Sequence, residues 1–169
     1  GENTIVVVQG ANAHVALPVG DVEPQVVVTQ NEIPPAAQQE AVALAARTGA
    51  RLVINAAPAP ESPPPWYGAA DPLVVNEHEA AQLATSDEAG AGLLRQLRER
   101  TGARSVVMTL GERGALVDDG TEVHAIPPVV VEQVVDATGA GDTFVGVLAA
   151  RLARGDAVVA AASAANRCA

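Results

Sequence analysis

The chain has no lysine, one cysteine, and a single tryptophan, tyrosine and phenylalanine among its 169 residues. A lone cysteine excludes an internal disulfide framework and a cysteine-rich zinc site. The shortage of aromatic side chains removes the surfaces on which single-stranded nucleic acids stack, and a net charge of −10 opposes binding to phosphate backbones. The sequence therefore predicts a protein of a reducing compartment that has no nucleic-acid partner.

Long apolar segments are also missing from the chain. The longest runs, such as Ile5 to Val8 and Val129 to Val131, fall far short of the roughly 18 residues of a membrane span. No charged and then apolar leader opens the sequence, which starts at Gly1 rather than at methionine. We expect a cytoplasmic protein without a membrane partner, and we interpret the chain as an internal piece of a longer polypeptide.

Short β-branched runs alternate along the sequence with stretches rich in alanine and leucine. Such alternation predicts βαβ crossovers, and so a mostly parallel sheet with helices on both faces, in a three-layer α/β/α arrangement. A polar turn around Gly120 joins the last two runs, which predicts an antiparallel hairpin at the sheet edge. The predicted strands are 5–8, 26–29, 51–55, 73–75, 105–110, 115–117 and 123–126, and the predicted helices are 34–48, 77–83, 89–100, 139–154 and 156–169.

The most informative motif is Asp136-Ala-Thr-Gly-Ala-Gly-Asp-Thr-Phe144, which leads into an alanine-rich helix. Its Gly139-Ala140-Gly141 turn directs backbone N–H groups to one place, where the helix dipole also favours an anion. Asp142 lies in the same first turn, where a carboxylate can take a proton from an alcohol that attacks a bound phosphate. The alternative is a plain strand-to-helix turn in which Asp142 caps the helix.

Two further polar motifs follow predicted strands. Thr109-Leu-Gly-Glu-Arg-Gly114 contains two glycines that allow close approach to a nucleotide, and Asn76-Glu-His-Glu79 opens a helix with an amide and a carboxylate. Ligands of open α/β sheets bind at the carboxyl ends of the strands, so three such motifs predict a ligand site there. The alternative for Asn76 and Glu79 is a capping box, because their spacing suits one.

These motifs together resemble the ribokinase (PfkB) family of sugar kinases, which transfer the γ-phosphoryl group of ATP to a sugar hydroxyl. The resemblance extends along the whole chain and includes Gln30-Asn-Glu32, Asn55-Ala-Ala-Pro-Ala59 and the segment from Gly1 to Ala13. It implies an incomplete ribokinase-like domain over residues 1–169, with the ATP-binding and catalytic portion of the fold. The flanking similarities imply phosphorylation of the 5-hydroxyl of D-ribose, to give D-ribose 5-phosphate.

The resemblance also implies individual roles. Asp142 corresponds to the catalytic base that deprotonates the sugar hydroxyl, beside an anion hole at Gly139, Ala140 and Gly141, and Glu32 corresponds to a sugar-hydroxyl ligand. Glu79 corresponds to a carboxylate that acts on Mg²⁺ through water, and Asp136 with the Thr138 carbonyl corresponds to half of a K⁺ site. The implied ATP-binding residues are Asn76, Thr109, Leu110, Gly111, Glu112, Arg113, Gly114, Gly141, Asp142 and Asn166.

The chain also departs from the family. The family's N-terminal portion, with a sugar-binding aspartate and much of the lid, has no counterpart before Gly1, and the remaining cation ligands have none after Ala169. We expect the chain alone to be inactive or nearly so, and the full-length protein to be a homodimer. Two alternatives stay open: a related kinase acting on fructose, a keto-deoxy sugar acid or a nucleoside such as adenosine, and a non-catalytic nucleotide-binding module.

Two other groups of residues are predicted to have structural roles. Arg95, Arg98, Arg100 and Arg104 are predicted to form a solvated helix face, since Glu99 lies among them. Trp66 and Tyr67 follow a proline-rich stretch and are predicted to seat that loop on the domain.

Overall fold

The structure is a computed structural model that describes residues 10–17, 20–130 and 137–169. The predicted strand Ile5–Val8 lies outside these residues. The short 3-10 helices are Gly10–His14, Pro65–Ala69 and Gly111–Arg113. The strands are β1 (Val26–Gln30), β2 (Arg51–Asn55), β3 (Leu73–Asn76), β4 (Val106–Thr109), β5 (Ala115–Asp118) and β6 (Val123–Ile126), and the helices are α1 (Pro35–Thr48), α2 (Glu77–Ala84), α3 (Gly90–Thr101), α4 (Ala140–Ala153) and α5 (Val158–Asn166).

The six strands of the described residues form one sheet, in the order in which they follow along the chain. β1 to β4 are parallel, β5 is antiparallel to β4, and β6 is antiparallel to β5. In the terminal hairpin Ala115 lies opposite Ile126 and Asp118 lies opposite Val123. The predicted parallel sheet with an antiparallel edge is confirmed.

Helices cover both faces of the sheet. In β2, Leu52 and Ile54 belong to the hydrophobic cluster on the side of α1, α2 and α3, whereas Val53 belongs to the cluster packed by α4 and α5. This alternation follows from the two-residue period of a strand. The predicted three-layer α/β/α architecture is therefore confirmed. None of the described helices is long and apolar enough to cross a membrane.

Local sequence signals explain where α1 begins and ends. Pro35 stands at its first position, where a missing N–H costs no hydrogen bond, and Gly49 follows it with φ of 71° in the left-handed region. α3 likewise stops at Gly102, whose φ is 71°. These signals lie within one turn of each helix end, which is why the sequence predicts the bounds of α1 and α3 well.

Arg98 does not simply face solvent, as the sequence predicts for the arginine-rich side of this helix. Its Nε donates to Oδ2 of Asp118 at 2.9 Å, and the Asp118 side chain is only 3% exposed. Asp118 also accepts from the backbone N–H of Gly120 at 2.9 Å. The pair connects α3 to β5, so the prediction is wrong for Arg98, which stabilises a buried carboxylate.

The course of α4 decides where its first turn lies. Arg51 opens β2, and its Nη1 donates to the carbonyl of Asp156, just beyond the end of α4, at 3.3 Å. The carboxyl end of α4 therefore lies at the amino edge of the sheet. A helix of 14 residues is about 21 Å long, so the Gly139 end of α4 reaches the opposite, carboxyl edge.

Candidate active site

The carboxyl edge of the sheet brings together most of the sequence-predicted site residues. β1 ends just before Asn31 and Glu32, while β3 and β4 end at Asn76 and Thr109, which are partners in the strand register. The first turn of α4 reaches the same edge. Parallel strands open their carboxyl ends to ligands in this way, so the fold places these motifs where the sequence predicted them.

The first turn of α4 has the geometry of an anion site. Gly139 has φ of 77° and ψ of 6°, and its carbonyl accepts the first helical hydrogen bond, from the N–H of Thr143 at 2.8 Å. The Ala140 N–H is already used, because it donates to the Ala137 carbonyl at 3.2 Å. The N–H groups of Gly141 and Asp142 precede the helical ladder, at the positive end of the helix dipole. Asp142 itself is exposed to solvent.

Asn76 and Glu79 form the capping box that their spacing allowed. Oδ1 of Asn76 accepts from the Glu79 N–H, and Oε2 of Glu79 accepts from the Asn76 N–H, both at 2.8 Å. This box uses one side-chain oxygen of each residue, which leaves the Asn76 amide Nδ2 and the Glu79 Oε1 outside it. The capping role is therefore compatible with contact to a ligand.

Burial shifts the pKa of Glu79. Desolvation raises the pKa of this carboxyl above its ordinary value, although the hydrogen bond from Asn76 and the nearby His78 oppose the shift. The free oxygen of Glu79 is a hard donor of the kind that Mg²⁺ binds directly or through water. Glu79 therefore fits the role of a carboxylate near a phosphate-bound Mg²⁺.

The segment Thr109–Gly114 forms a tight loop between β4 and β5. Its Leu110 N–H donates to the Gly114 carbonyl at 2.8 Å, and Arg113 forms an ion pair with Glu77 at the start of α2. The ion pair joins this loop to the helix that begins with the capping box. The predicted nucleotide loop and the Asn76–Glu79 motif are thus neighbours in the structure.

Gly114 is required by this loop for a steric reason. Its φ of 89° and ψ of −135° are rarely adopted by L-residues. A Cβ added at Gly114 would lie 2.2 Å from the carbonyl oxygen of Ile126, at the end of β6. Close contact between the loop backbone and the segment after β6 therefore explains the second glycine of the motif.

Asn166 also reaches the carboxyl edge. It is the last residue of α5, and its Nδ2 donates to the carbonyl of Pro127 at 3.0 Å. Pro127 follows β6, which runs parallel to β4 and so ends at the same edge. Asn166 is therefore held on the β6 side of the edge, beyond the Thr109–Gly114 loop.

The predicted K⁺ ligands are only partly described. Asp136 lies outside the described residues, whereas Thr138 is exposed immediately before α4. Within residues 10–17, 20–130 and 137–169, no cluster of three or more His, Cys, Asp or Glu side chains could hold a metal ion. The K⁺ site stays a prediction.

Glu32 projects from the loop after β1 and is exposed. Its Oε2 accepts a long hydrogen bond of 3.5 Å from Asn12 Nδ2. The neighbouring Asn31 donates to the hydroxyl of Tyr67, which is fully buried. Burial raises the pKa of that hydroxyl, and the Asn31 hydrogen bond partly opposes the shift. The sequence predicts that Tyr67 seats a loop, but nothing in it indicates that Asn31 bonds to the Tyr67 hydroxyl.

Comparison with known proteins places the chain in a family. Residues 1–169 match the pfkB family carbohydrate kinases. The ribokinase of Mus musculus is 37% identical over 166 residues, which cover 90% of this chain and 51% of that protein. The chain thus spans about half the length of the curated relatives it matches.

Solved structures agree with the sequence relatives. A Thermotoga maritima ribokinase superposes with a TM-score of 0.80 at 28% identity, covering 98% of this chain and 58% of that one. The ribokinase of Cryptococcus neoformans var. grubii serotype A in complex with ADP superposes with a TM-score of 0.81 at 26% identity, covering 98% and 60% respectively. The fold, the family match and the sequence relatives lead to one conclusion: this chain belongs to the pfkB family of carbohydrate kinases.

Proposed function

We propose that the protein containing this chain is an ATP-dependent sugar kinase, a ribokinase that converts D-ribose to D-ribose 5-phosphate. The observation that carries the proposal is the first turn of α4, where Asp142 stands beside N–H groups that precede the helical ladder. A carboxylate and an anion site in one turn suit an alcohol that attacks a phosphate. The identity to the mouse ribokinase supports the choice of ribose.

The proposed reaction is a phosphoryl transfer with Asp142 as general base. The 5-hydroxyl oxygen of ribose forms a bond to the γ-phosphorus of ATP while the bond from that phosphorus to the β–γ bridging oxygen breaks. The hydroxyl proton passes to the Asp142 carboxylate, and ADP leaves with the bridging oxygen. The N–H groups of Gly141 and Asp142, with the dipole of α4, stabilise the negative charge on the transferring group.

The remaining edge residues are assigned to the substrates. Asn76, Asn166 and the Thr109–Gly114 loop contact ATP, and Glu32 contacts a sugar hydroxyl. When bound, Mg²⁺ neutralises phosphate charge, and Glu79 would hold it through water. The chain has no lysine, and the backbone N–H groups and helix dipole at the start of α4 would balance part of the phosphate charge there.

The proposal extends to the cation site and to the whole protein. Asp136 and the Thr138 carbonyl would contribute to a K⁺ site that raises activity. The chain spans only 51% of the mouse ribokinase, and Glu32 is its only proposed sugar contact besides Asp142. We therefore propose that it is inactive or nearly so when produced alone. The homodimer and the cytoplasmic location stay predictions.

The test is a coupled ATP-consumption assay on the complete gene product with D-ribose, fructose and adenosine, each with and without K⁺. We expect turnover on ribose that rises with K⁺, and a fall in kcat of about 10²- to 10⁴-fold in Asp142→Asn, the usual worth of a general base. Asp87→Asn is the matched control, because Asp87 is an exposed aspartate between α2 and α3 and is not among the proposed site residues.

Each result has a distinct meaning. Turnover on fructose or adenosine in place of ribose would keep the kinase and replace the substrate. ATP binding without turnover on any of the three would overturn the proposed reaction and favour a non-catalytic nucleotide-binding module. Ribose phosphorylation by the 169-residue chain at the rate of the complete protein would refute its proposed inactivity.

A further inference from the structure

Trp66 and Tyr67 are adjacent in the 3-10 helix Pro65–Ala69, and each holds the side-chain amide of a residue on another segment. The Tyr67 hydroxyl accepts from Nδ2 of Asn31 at 2.8 Å, and Nε1 of Trp66 donates to Oε1 of Gln38 at 3.2 Å. We call Trp66 and Tyr67, with the amides of Asn31 and Gln38, the aromatic clamp. Its two amides come from the loop after β1 and from α1.

The two amides of the aromatic clamp fix the chain on either side of Glu32. Asn31 donates from Nδ2 to the Pro58 carbonyl at 2.8 Å and from its backbone N–H to the Ala57 carbonyl at 3.1 Å. On the other side, Nε2 of Gln38 donates to the Ile33 carbonyl at 3.2 Å. The residues before and after Glu32 are therefore held, while the Glu32 side chain projects into solvent.

Burial makes the aromatic clamp stiff. Tyr67 is fully buried in the cluster on the α1 side of the sheet, and Gln38 is only 4% exposed. Hydrogen bonds in such surroundings are stronger than in water, and breaking one leaves a polar group without a partner. By contrast, the 3.5 Å contact from Asn12 holds the Glu32 carboxylate weakly. The position of Glu32 thus depends on its neighbours in the chain.

We propose that the aromatic clamp positions the Glu32 carboxylate for the sugar hydroxyl, so that Asn31, Gln38, Trp66 and Tyr67 are positioning residues for sugar binding. The inference rests on the proposed function, because it needs Glu32 to contact the sugar. It assigns a role to the only tryptophan and the only tyrosine of the chain. It also separates sugar binding from the chemistry at α4, to which the clamp makes no described hydrogen bond.

The kinetic test compares Tyr67→Phe and the double variant Trp66→Phe/Tyr67→Phe with the parent, all as complete gene products. Tyr67→Phe keeps the buried ring and removes one of the two acceptors of Asn31 Nδ2, the other being the Pro58 carbonyl. We expect the KM for ribose to rise about threefold to tenfold, the usual effect of one lost hydrogen bond, and further in the double variant. kcat and the KM for ATP should stay within about twofold, because the general base and the nucleotide loop are unchanged.

Ser105→Ala is the matched control. Ser105 is 2% exposed and donates to Oδ1 of Asp71 at 2.6 Å, just before β4 and so at the opposite edge of the sheet. Ser105→Ala removes one partly buried hydrogen bond, as Tyr67→Phe does, and should leave the KM for ribose unchanged. An equal rise of this KM in Ser105→Ala would show a general loss of stability and would overturn the proposal.

Dependence on Glu32 is the decisive readout. In a Glu32→Gln background, Tyr67→Phe should raise the KM for ribose no further, because the clamp acts through that carboxylate. Full additivity would overturn the clamp while leaving the Glu32 contact intact. If Glu32→Gln alone leaves the KM for ribose unchanged, the proposed sugar contact fails and the inference fails with it.

Hydrogen exchange tests the clamp without any turnover. Peptides that cover residues 30–34 should exchange faster in Trp66→Phe/Tyr67→Phe than in Ser105→Ala. Unchanged exchange in the clamp variant would overturn the positioning role even if the protein proves to phosphorylate a different sugar.

Discussion

Replacing Gly114 with alanine should destabilise the protein more than the same change at Gly111, in the same loop. At Gly114 the new Cβ would meet the Ile126 carbonyl oxygen at 2.2 Å and the Pro128 nitrogen at 2.9 Å. At Gly111 the Cβ would have no heavy atom within 4 Å. Both glycines have positive φ, 89° at Gly114 and 58° at Gly111, so both variants strain the backbone. The difference between the two variants therefore reports mainly the steric clash at Gly114.

The magnitude can be worked out from these contacts. Backbone strain at the φ and ψ of Gly114 costs about 1–3 kcal/mol for a residue with a side chain. The clash is with backbone atoms rather than with a flexible side chain, and overpacking of this kind costs about 1–3 kcal/mol more. The sum is about 2–6 kcal/mol, against about 1–2 kcal/mol for the left-handed conformation of Gly111 alone.

Thermal unfolding of the complete gene product measures this difference. We expect the Tm of Gly114→Ala to lie about 2–8 °C below that of Gly111→Ala, at roughly 2 °C per kcal/mol for a chain of this size or longer. Gly114→Ala should also weaken ATP binding, because relief of the clash moves the backbone next to Pro127, whose carbonyl holds Asn166. Equal Tm values for the two variants would refute the steric reasoning.

Two further predictions concern charged groups. Burial raises the pKa of Glu79 above its ordinary value of 4.5, which favours the protonated carboxyl in the folded protein. The stabilisation that follows from this shift is complete below pH 4.5 and is lost as pH rises through the raised pKa. Glu79→Gln should therefore gain unfolding free energy relative to the parent across that window in urea titrations, and a difference independent of pH would contradict the assignment. Arg98→Met should lower the unfolding free energy by about 1–3 kcal/mol, because Asp118 stays buried with one fewer donor. Arg95→Met is the control, since Arg95 is an exposed residue of the same helix, and an equal loss there would show that the ion pair adds nothing.

The sequence predicted the elements well because their signals are local. β2 was predicted at its observed bounds, Arg51–Asn55, and α1 within one residue, since proline and glycine mark its two ends. The glycine-rich start of α4 was likewise recognised from a few neighbouring residues. Its placement at the carboxyl edge then followed from the rules of parallel sheets.

The contacts between distant segments were not predictable in the same way. Arg98 and Asp118 are 20 residues apart, and Asn31 and Tyr67 are 36 residues apart. No periodicity or spacing indicates which polar side chain will meet which partner across the sheet. The capping box shows the other difficulty, because Asn76 and Glu79 satisfy a local structural role and are also proposed to contact ligands, and the sequence pattern is the same for both.

The aromatic clamp also gives the chain an internal spectroscopic reporter. Trp66 is its only indole, is half-buried, and donates its N–H to Gln38 within the network that flanks Glu32. Indole emission changes in wavelength and intensity with the polarity around the ring and with the hydrogen bond at its nitrogen. The tryptophan fluorescence of this chain therefore comes from one defined place, seven residues before the first residue of β3, and reports on the loop after β1 with no label attached.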